Sequence, residues 1–239
     1  MKVDIFIPCF IDQLRPETAF NMIKVLEKAG CQVNYNVEQT CCGQAAFNAG
    51  FWDDAREVAE KLLNEVSTTK NLVCPSASCV GMMKNSYDLL FQNSSYHNKY
   101  KQLQKNAFEL SEFLVDVLKV TNLGSMLYGK ATYHDSCSAL RECKIKTQPR
   151  ELLKNVQGLE LVEMKDNETC CGFGGIFAVK FEPISISMAE QKVENALATG
   201  AEYMISTDYS CLLHLDAYIK KKNIALKTLH IADVLAQGL

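Results

Sequence analysis

The sequence predicts an α/β protein of two pseudo-symmetric repeats, each a small, mainly parallel sheet flanked by helices. Three observations predict it. Four cysteines of the first half, Cys9, Cys41, Cys42 and Cys79, recur as Cys137, Cys170, Cys171 and Cys211, displaced by 128, 129, 129 and 132 residues. Gly43 and Gly172 follow the two adjacent pairs. Short strand-like runs alternate with amphipathic helical segments along both halves, the pattern of βαβ units. A period of this length is too long for a solenoid and marks a duplicated domain. The repeats are expected at 1–106 and 130–239, with a connecting helix and linker over 107–129.

Each element has a local reason. "DIFIPC" (4–9) runs a strand near 3–7 into the first cysteine. Residues 16–29 place Ala19, Phe20, Ile23, Leu26 and Ala29 on one helical face, and Gly30 closes that helix as a C-terminal cap. A strand near 33–37 precedes Cys41. In 51–66, Trp52, Ala55, Val58, Ala59, Leu62, Leu63 and Val66 recur at helical spacing. A strand at 71–74 leads through small polar residues to Cys79, which opens an apolar periodic segment. Residues 107–118 carry Ala107, Phe108, Leu110, Phe113, Leu114, Val117 and Leu118 in a helical pattern and connect the halves. The second half repeats the order, with strands near 131–134, 159–163 and 203–206. Its helix over 183–199 has Pro183 near the start and Gly200 just past the end, the usual asymmetry.

Composition narrows the class. A chain of 239 residues, 48% hydrophobic and 22% charged, is long enough for two ordinary domains. A net charge of −3 speaks against a nucleic-acid partner. No run reaches the 18 or so apolar residues of a membrane span. "MKVDIFIPCF" lacks the apolar core and cleavage site of a signal peptide, so the expected location is the cytoplasm. In that reducing compartment the eleven cysteines are expected as buried thiols, reactive thiols or metal ligands rather than disulfides.

Every repeated cysteine follows the carboxyl end of an expected strand, where open α/β sheets form their sites. The four sulfurs of each half are therefore expected to converge. Soft thiolates select zinc, copper(I) or iron–sulfur clusters. Structural zinc usually draws its cysteines from tight CxxC knuckles. Here the ligands stand 32, 1 and 37 residues apart. Adjacent ligands can serve different irons of one cluster, and Gly43, Gly172 and Gly174 allow backbone to approach inorganic sulfide closely. Iron–sulfur is the first expectation; zinc, or thiol chemistry without metal, stays open.

The segments "IPCFIDQLRPE" (7–17), "EQTCCGQAAFNAG" (38–50), "PSASCVGMM" (75–83), "YHDSCSALRE" (133–142), "CCGFGGIFAVK" (170–180) and "STDYSC" (206–211) together resemble the CCG-domain iron–sulfur family. That family includes the cysteine-rich component of heterodisulfide reductase and the iron–sulfur subunits of glycolate- and glycerol-3-phosphate-oxidising complexes. The likeness is greatest to its lactate-utilisation branch. It implies cytoplasmic oxidation of L-lactate to pyruvate with two partner proteins of the same pathway, one a ferredoxin-like iron–sulfur protein. It also implies one cluster of [4Fe–4S] type per repeat, held by the eight repeated cysteines. The family motif ends in CxxC, and here Ser76 and Asp208 stand at the first position of each terminal pair. Four thiolates per half suffice for an ordinary cluster. Cys74 is a candidate substitute in the first half only, since Ser206 occupies its counterpart. Glycolate, glycerol 3-phosphate or a disulfide are alternative substrates, and a colourless zinc-binding assembly module is the alternative from another class. Zinc in a sample that has lost its clusters does not decide between these, because emptied thiolates can take up adventitious zinc.

Outside the cysteines, His134 and Asp135 in "YHDSC" are candidate proton-transfer residues, because hydroxyacid oxidation removes protons as well as electrons. A loop-capping role for Asp135 is the structural alternative. Arg141, and Arg15 in the first half, are candidates for gripping a substrate carboxylate. His97, His214 and His230 read as structural. No dinucleotide or Walker motif is present.

Overall fold

A computed structural model describes residues 1–239. The first half runs β1 (Lys2–Ile5), α1 (Cys9–Leu14), α2 (Pro16–Lys28), β2 (Gln32–Tyr35), α3 (Gln44–Ala49), α4 (Trp52–Glu65), β3 (Leu72–Cys74), α5 (Ala77–Gly81), α6 (Tyr87–Phe91), α7 (His97–Asn106), β4 (Ala107–Glu109) and α8 (Leu110–Glu112). The second runs β5 (Met126–Tyr133), α9 (Thr147–Leu153), β6 (Gln157–Leu161), α10 (Ile176–Lys180), α11 (Glu182–Leu197), β7 (Tyr203–Ser206), α12 (Tyr209–Lys221), β8 (Lys227–His230) and α13 (Ile231–Leu235). π-helical turns cover Met82–Ser86, Phe113–Val117 and Ser138–Glu142.

The strands form two four-stranded sheets in the orders β2-β1-β3-β4 and β6-β5-β7-β8. All pairings are parallel. The same order twice is the duplication that the cysteine offsets predict. Each sheet has one strand beyond the three expected. β8 carries no clear sequence pattern. β4 begins the 107–118 segment, where the periodicity predicts helix. Ala107, Phe108 and Glu109 instead pair in register with Leu72, Val73 and Cys74, so sheet pairing overrides a helical pattern that holds only from Leu110 onward.

Side-chain alternation decides what each sheet face meets. Val3, Ile5 and Val73 of the first sheet and Ala131, Tyr133 and Ile205 of the second belong to one continuous core. Between the sheets α2 packs on α13 and α8 on α9, an exchange that follows the pseudo-twofold relation. The opposite faces are covered separately. Phe6, Leu72 and Cys74 pack with α4, α6 and α7. Met204 packs with α11 and α12. The two repeats therefore share their largest core.

Candidate metal centres

In each sheet the chain leaves the first strand to one side and returns on the other, β1 to β2 then β3, and β5 to β6 then β7. That reversal opens a crevice at the strands' carboxyl ends. Cys9 starts α1 just past β1, Cys41 and Cys42 sit in the loop after β2, and Cys79 lies in the first turn of α5 after β3. Cys137, Cys170, Cys171 and Cys211 take the matching places after β5, β6 and β7. The expected convergence occurs in both halves. Cys9 Sγ stands 3.9 Å from Cys41 Sγ. Cys41, Cys42 and Cys79 each shift the ionisation of a neighbour in the first half. Cys137, Cys170, Cys171 and Cys211 do the same in the second. No cysteine forms a disulfide.

The glycines after the pairs serve this geometry. Gly43 and Gly172 adopt φ of 83° and 93°, a region that favours glycine. Each donates its N–H to the sulfur two residues back, Cys41 or Cys170, at 3.4 Å. Gly174 instead turns the chain into α10, its carbonyl accepting the Phe177 N–H. Tyr87 Oη donates to the Cys42 carbonyl at 3.0 Å, and Ser185 Oγ to the Gly172 carbonyl at 2.8 Å, which fixes both loops.

Linked thiols do not ionise independently. Hydrogen bonds from Cys42 and Cys9 pull Cys41 down to about 2, and those from Cys137 and Cys171 pull Cys170 down to about 2. Donating to that thiolate pushes Cys9 and Cys137 up. Each half thus carries one stabilised thiolate beside thiols whose protons a metal would displace. Two thiolates on one tetrahedral metal atom, about 2.3 Å from it, stand about 3.8 Å apart. The Cys9–Cys41 spacing is of that size. The donor set fits a thiophilic metal or cluster. One more donor faces the second centre: a ring nitrogen of His134, Cys171 Sγ and Cys211 Sγ lie within 4.8 Å of one another. His134 is fully buried, neither ring nitrogen has a partner, and burial pushes its pKa down to about 3, so the ring is neutral.

Other residues singled out by sequence have different surroundings. Asp135 is buried and held bidentately by Arg150, at 2.9 and 2.7 Å, and Arg150 also grips Glu163 at 2.6 and 3.0 Å. Arg141 lines an open pocket of about 690 Å³ with Thr169, Cys170 and Met188. Asp166 and Glu168 also line it, Glu168 being paired with Lys146. Arg15 lies elsewhere, in a cavity of about 710 Å³ bordered by Tyr209, His230 and Asp233 and by no cysteine. Cys74 is fully buried, its Sγ donating to the Ser76 carbonyl at 3.6 Å. Cys31 sits in the shared core, and Cys143 Sγ donates to the Ala77 carbonyl at 3.4 Å.

Ser76 and Asp208 meet each other across the repeats. Ser76 Oγ donates to Asp208 Oδ1 at 2.8 Å, the Ser78 N–H donates to the same oxygen at 3.0 Å, and Ser136 Oγ donates to Oδ2. Both carboxylate oxygens are thereby engaged in a buried strut, away from ligand duty. Two further struts flank it. Thr207 Oγ1 donates to Glu109, and His230 Nε2 donates to the carbonyls of Pro75 and Thr207, both at 3.0 Å. Sequence reasoning missed these, since their partners lie up to 155 residues apart. Lys192 left a readable signal. It stands on the buried stripe Ser185, Ala189, Lys192, Val193, Ala196 of α11, and its ammonium donates to the carbonyls of Asp166 and Asn167 ahead of the second cysteine pair.

A family model described as "CCG: Cysteine-rich domain" matches residues 3–84 and 131–216. The chain is 40% identical over 235 residues to the lactate utilization protein A of Halalkalibacterium halodurans, covering 98% of this chain and 96% of the relative. It is 38% identical to the protein of the same name from Geobacillus kaustophilus, covering 98% of each. A hypothetical protein of Helicobacter pylori shares the fold, with a TM-score of 0.62 at 11% identity over all of this chain and 49% of that one. With two copies of the domain, both carrying the repeated cysteines, this chain belongs to the CCG cysteine-rich domain family.

Proposed function

We propose that the chain is an iron–sulfur redox subunit of lactate utilisation, with one cluster of [4Fe–4S] type in each repeat. The observation that carries the proposal is four cysteines gathered at the same sheet switch point in both repeats, in a relative of proteins named lactate utilization protein A. Residues 1–106 and 130–239 each supply one centre, and 107–129 joins them while also contributing β4 to the first sheet and the start of β5 to the second. A bound cluster supplies one-electron redox capacity, which thiols alone lack.

The remaining roles fall to the chain's own side chains. Oxidising L-lactate to pyruvate releases two electrons and two protons. Arg141 binds the carboxylate in the pocket whose wall includes Cys170, placing the carbinol carbon beside the second centre. Asp135 acts indirectly: clamped by Arg150, it positions the backbone that leads into Cys137. The rim cysteines Cys9, Cys41, Cys137 and Cys170 retain solvent access, while Cys42, Cys79, Cys171 and Cys211 are buried. Electrons can therefore leave toward a docked partner without deep burial of either site. α3 packs on α10 across the repeats, and exposed Phe51, Trp52, Val179 and Phe181 flank these helices. They are the surface on which a ferredoxin-like partner would seat.

The test is complementation of a strain that lacks its own lactate utilization protein A and cannot grow on L-lactate. The wild-type chain is expected to restore growth, Cys171→Ser to fail, and Arg141→Gln to restore it only at raised lactate. Restoration by Cys171→Ser as fully as by wild type would remove the redox role of the second centre. No restoration by the wild-type chain, supplied with its own partners, would remove the lactate assignment.

A further inference from the structure

The two centres are copies in their repeated cysteines and differ in the residue just past β1 and β5. His134 N–H donates to the Ile205 carbonyl, just as Phe6 N–H donates to the Val73 carbonyl, so the two residues hold one position of the repeat. Phe6 belongs there to the apolar core that also holds Cys42, Cys74 and Cys79. A phenyl ring fits that apolar setting with nothing left unmet. In the second half an imidazole of similar outline takes the place, 0% exposed, with Nδ1 and Nε2 both lacking a partner. Native interiors rarely leave such groups unsatisfied, and those they leave call for an explanation such as an ion. The explanation lies beside it: a ring nitrogen is within 4.8 Å of Cys171 Sγ and Cys211 Sγ, which are as close to each other. Three soft or borderline donors at that spacing can surround a single metal atom.

We infer that His134 is a direct ligand of the second centre. That centre is a mixed cysteine–histidine site, while the first is ligated by sulfur alone. The inference rests on the proposed iron–sulfur loading of the second repeat. His134 matches Phe6 and replaces no cysteine, so it adds a neutral donor to the second centre alone. The two clusters therefore have different ligand sets and different potentials.

The experiment uses full-length protein loaded anaerobically and labelled with ¹⁵N-histidine. Iron and sulfide are measured first. Electron–nuclear double resonance is then recorded on the reduced protein. The expected spectrum contains one strongly coupled histidine nitrogen. It persists in Cys42→Ser, which disrupts the first centre, and disappears in His134→Phe, which installs the residue already tolerated at the matching position. In His134→Cys the midpoint potential of one cluster is expected to fall. An iron- and sulfide-loaded wild-type protein without strong histidine coupling overturns the ligand assignment and leaves the redox function standing. Coupling that survives His134→Phe overturns it as well. A chain that takes up zinc and no iron or sulfide overturns both. The wild-type spectrum decides by itself should either variant fail to fold.

Discussion

Glu109 offers a stability test whose size follows from its surroundings. It is fully buried between the repeats, accepting from the Ser111 and Glu112 N–H groups, the Ser111 hydroxyl and Thr207 Oγ1, with no cation paired to it. Burial outweighs these hydrogen bonds and raises its pKa from 4.5 to about 7. A raised carboxyl pKa means that the folded chain keeps a proton the unfolded chain has lost. The associated stability is complete below about pH 4.5 and is lost as pH rises through 7. At 1.36 kcal/mol per unit, the total is about 3 kcal/mol, of which about 2.5 kcal/mol falls between pH 5 and 8.5. Glu109→Gln keeps the shape and cannot titrate. Its carbonyl can accept the Ser111 and Glu112 N–H groups while its amide donates to the Thr207 hydroxyl. Anaerobic urea unfolding of both proteins, followed by the fluorescence of the single tryptophan, gives the difference at each pH. That difference is expected to move by about 2.5 kcal/mol in favour of the variant from pH 5 to 8.5. A difference independent of pH would refute the buried, unpaired carboxyl as its source.

Three further substitutions probe the architecture around the centres. Gly172→Ala forces a side chain into φ of 93° and places its Cβ 2.6 Å from the Ser185 carbonyl oxygen; a loss of about 2 kcal/mol or more is expected, together with metal loss from the second repeat only, read by melting and metal analysis. Lys192→Met removes the ammonium from the Asp166 and Asn167 carbonyls, which keep only the Thr169 and Asp135 N–H groups, and should cost about 1 kcal/mol in urea unfolding; an unchanged midpoint would show that water replaces the ammonium there. Asp208→Ala strands Ser76, Ser78 and Ser136 and should cost about 2–3 kcal/mol; a loss below about 0.5 kcal/mol would deny the strut between the repeats any role in stability.

The parts of this molecule that were legible in sequence are those that repeat. Cysteine offsets revealed the duplication, and strand-then-cysteine junctions placed the sulfurs at the sheets' carboxyl ends. β8 escaped because four residues, Lys227–His230, show no usable alternation of burial. β4 escaped because Leu110, Phe113, Leu114 and Val117 impose a helical rhythm on a segment whose first three residues pair with β3. At the centres, soft donors at constant spacing were readable, while their supports were not. Arg150 clamps Asp135 from a helix that has no signature, and Asp208 bonds Ser76 from 132 residues away. Such contacts are set by how the two repeats pack, and single-sequence patterns carry no record of that. His134 stood out through its place beside Cys137, but only the fold brings a ring nitrogen within 4.8 Å of the Cys171 and Cys211 sulfurs and leaves it out of the lining of the Arg141 pocket.

The central claim is that each repeat holds one cluster. Iron and acid-labile sulfide should be measured on anaerobically reconstituted wild type, Cys42→Ser and Cys171→Ser, with electron paramagnetic resonance before and after reduction. Near-equal iron and sulfide in the wild type, with about half lost in each variant and a different signal missing from each, is the expected result. Stoichiometric zinc without iron, persisting through reconstitution, would contradict it.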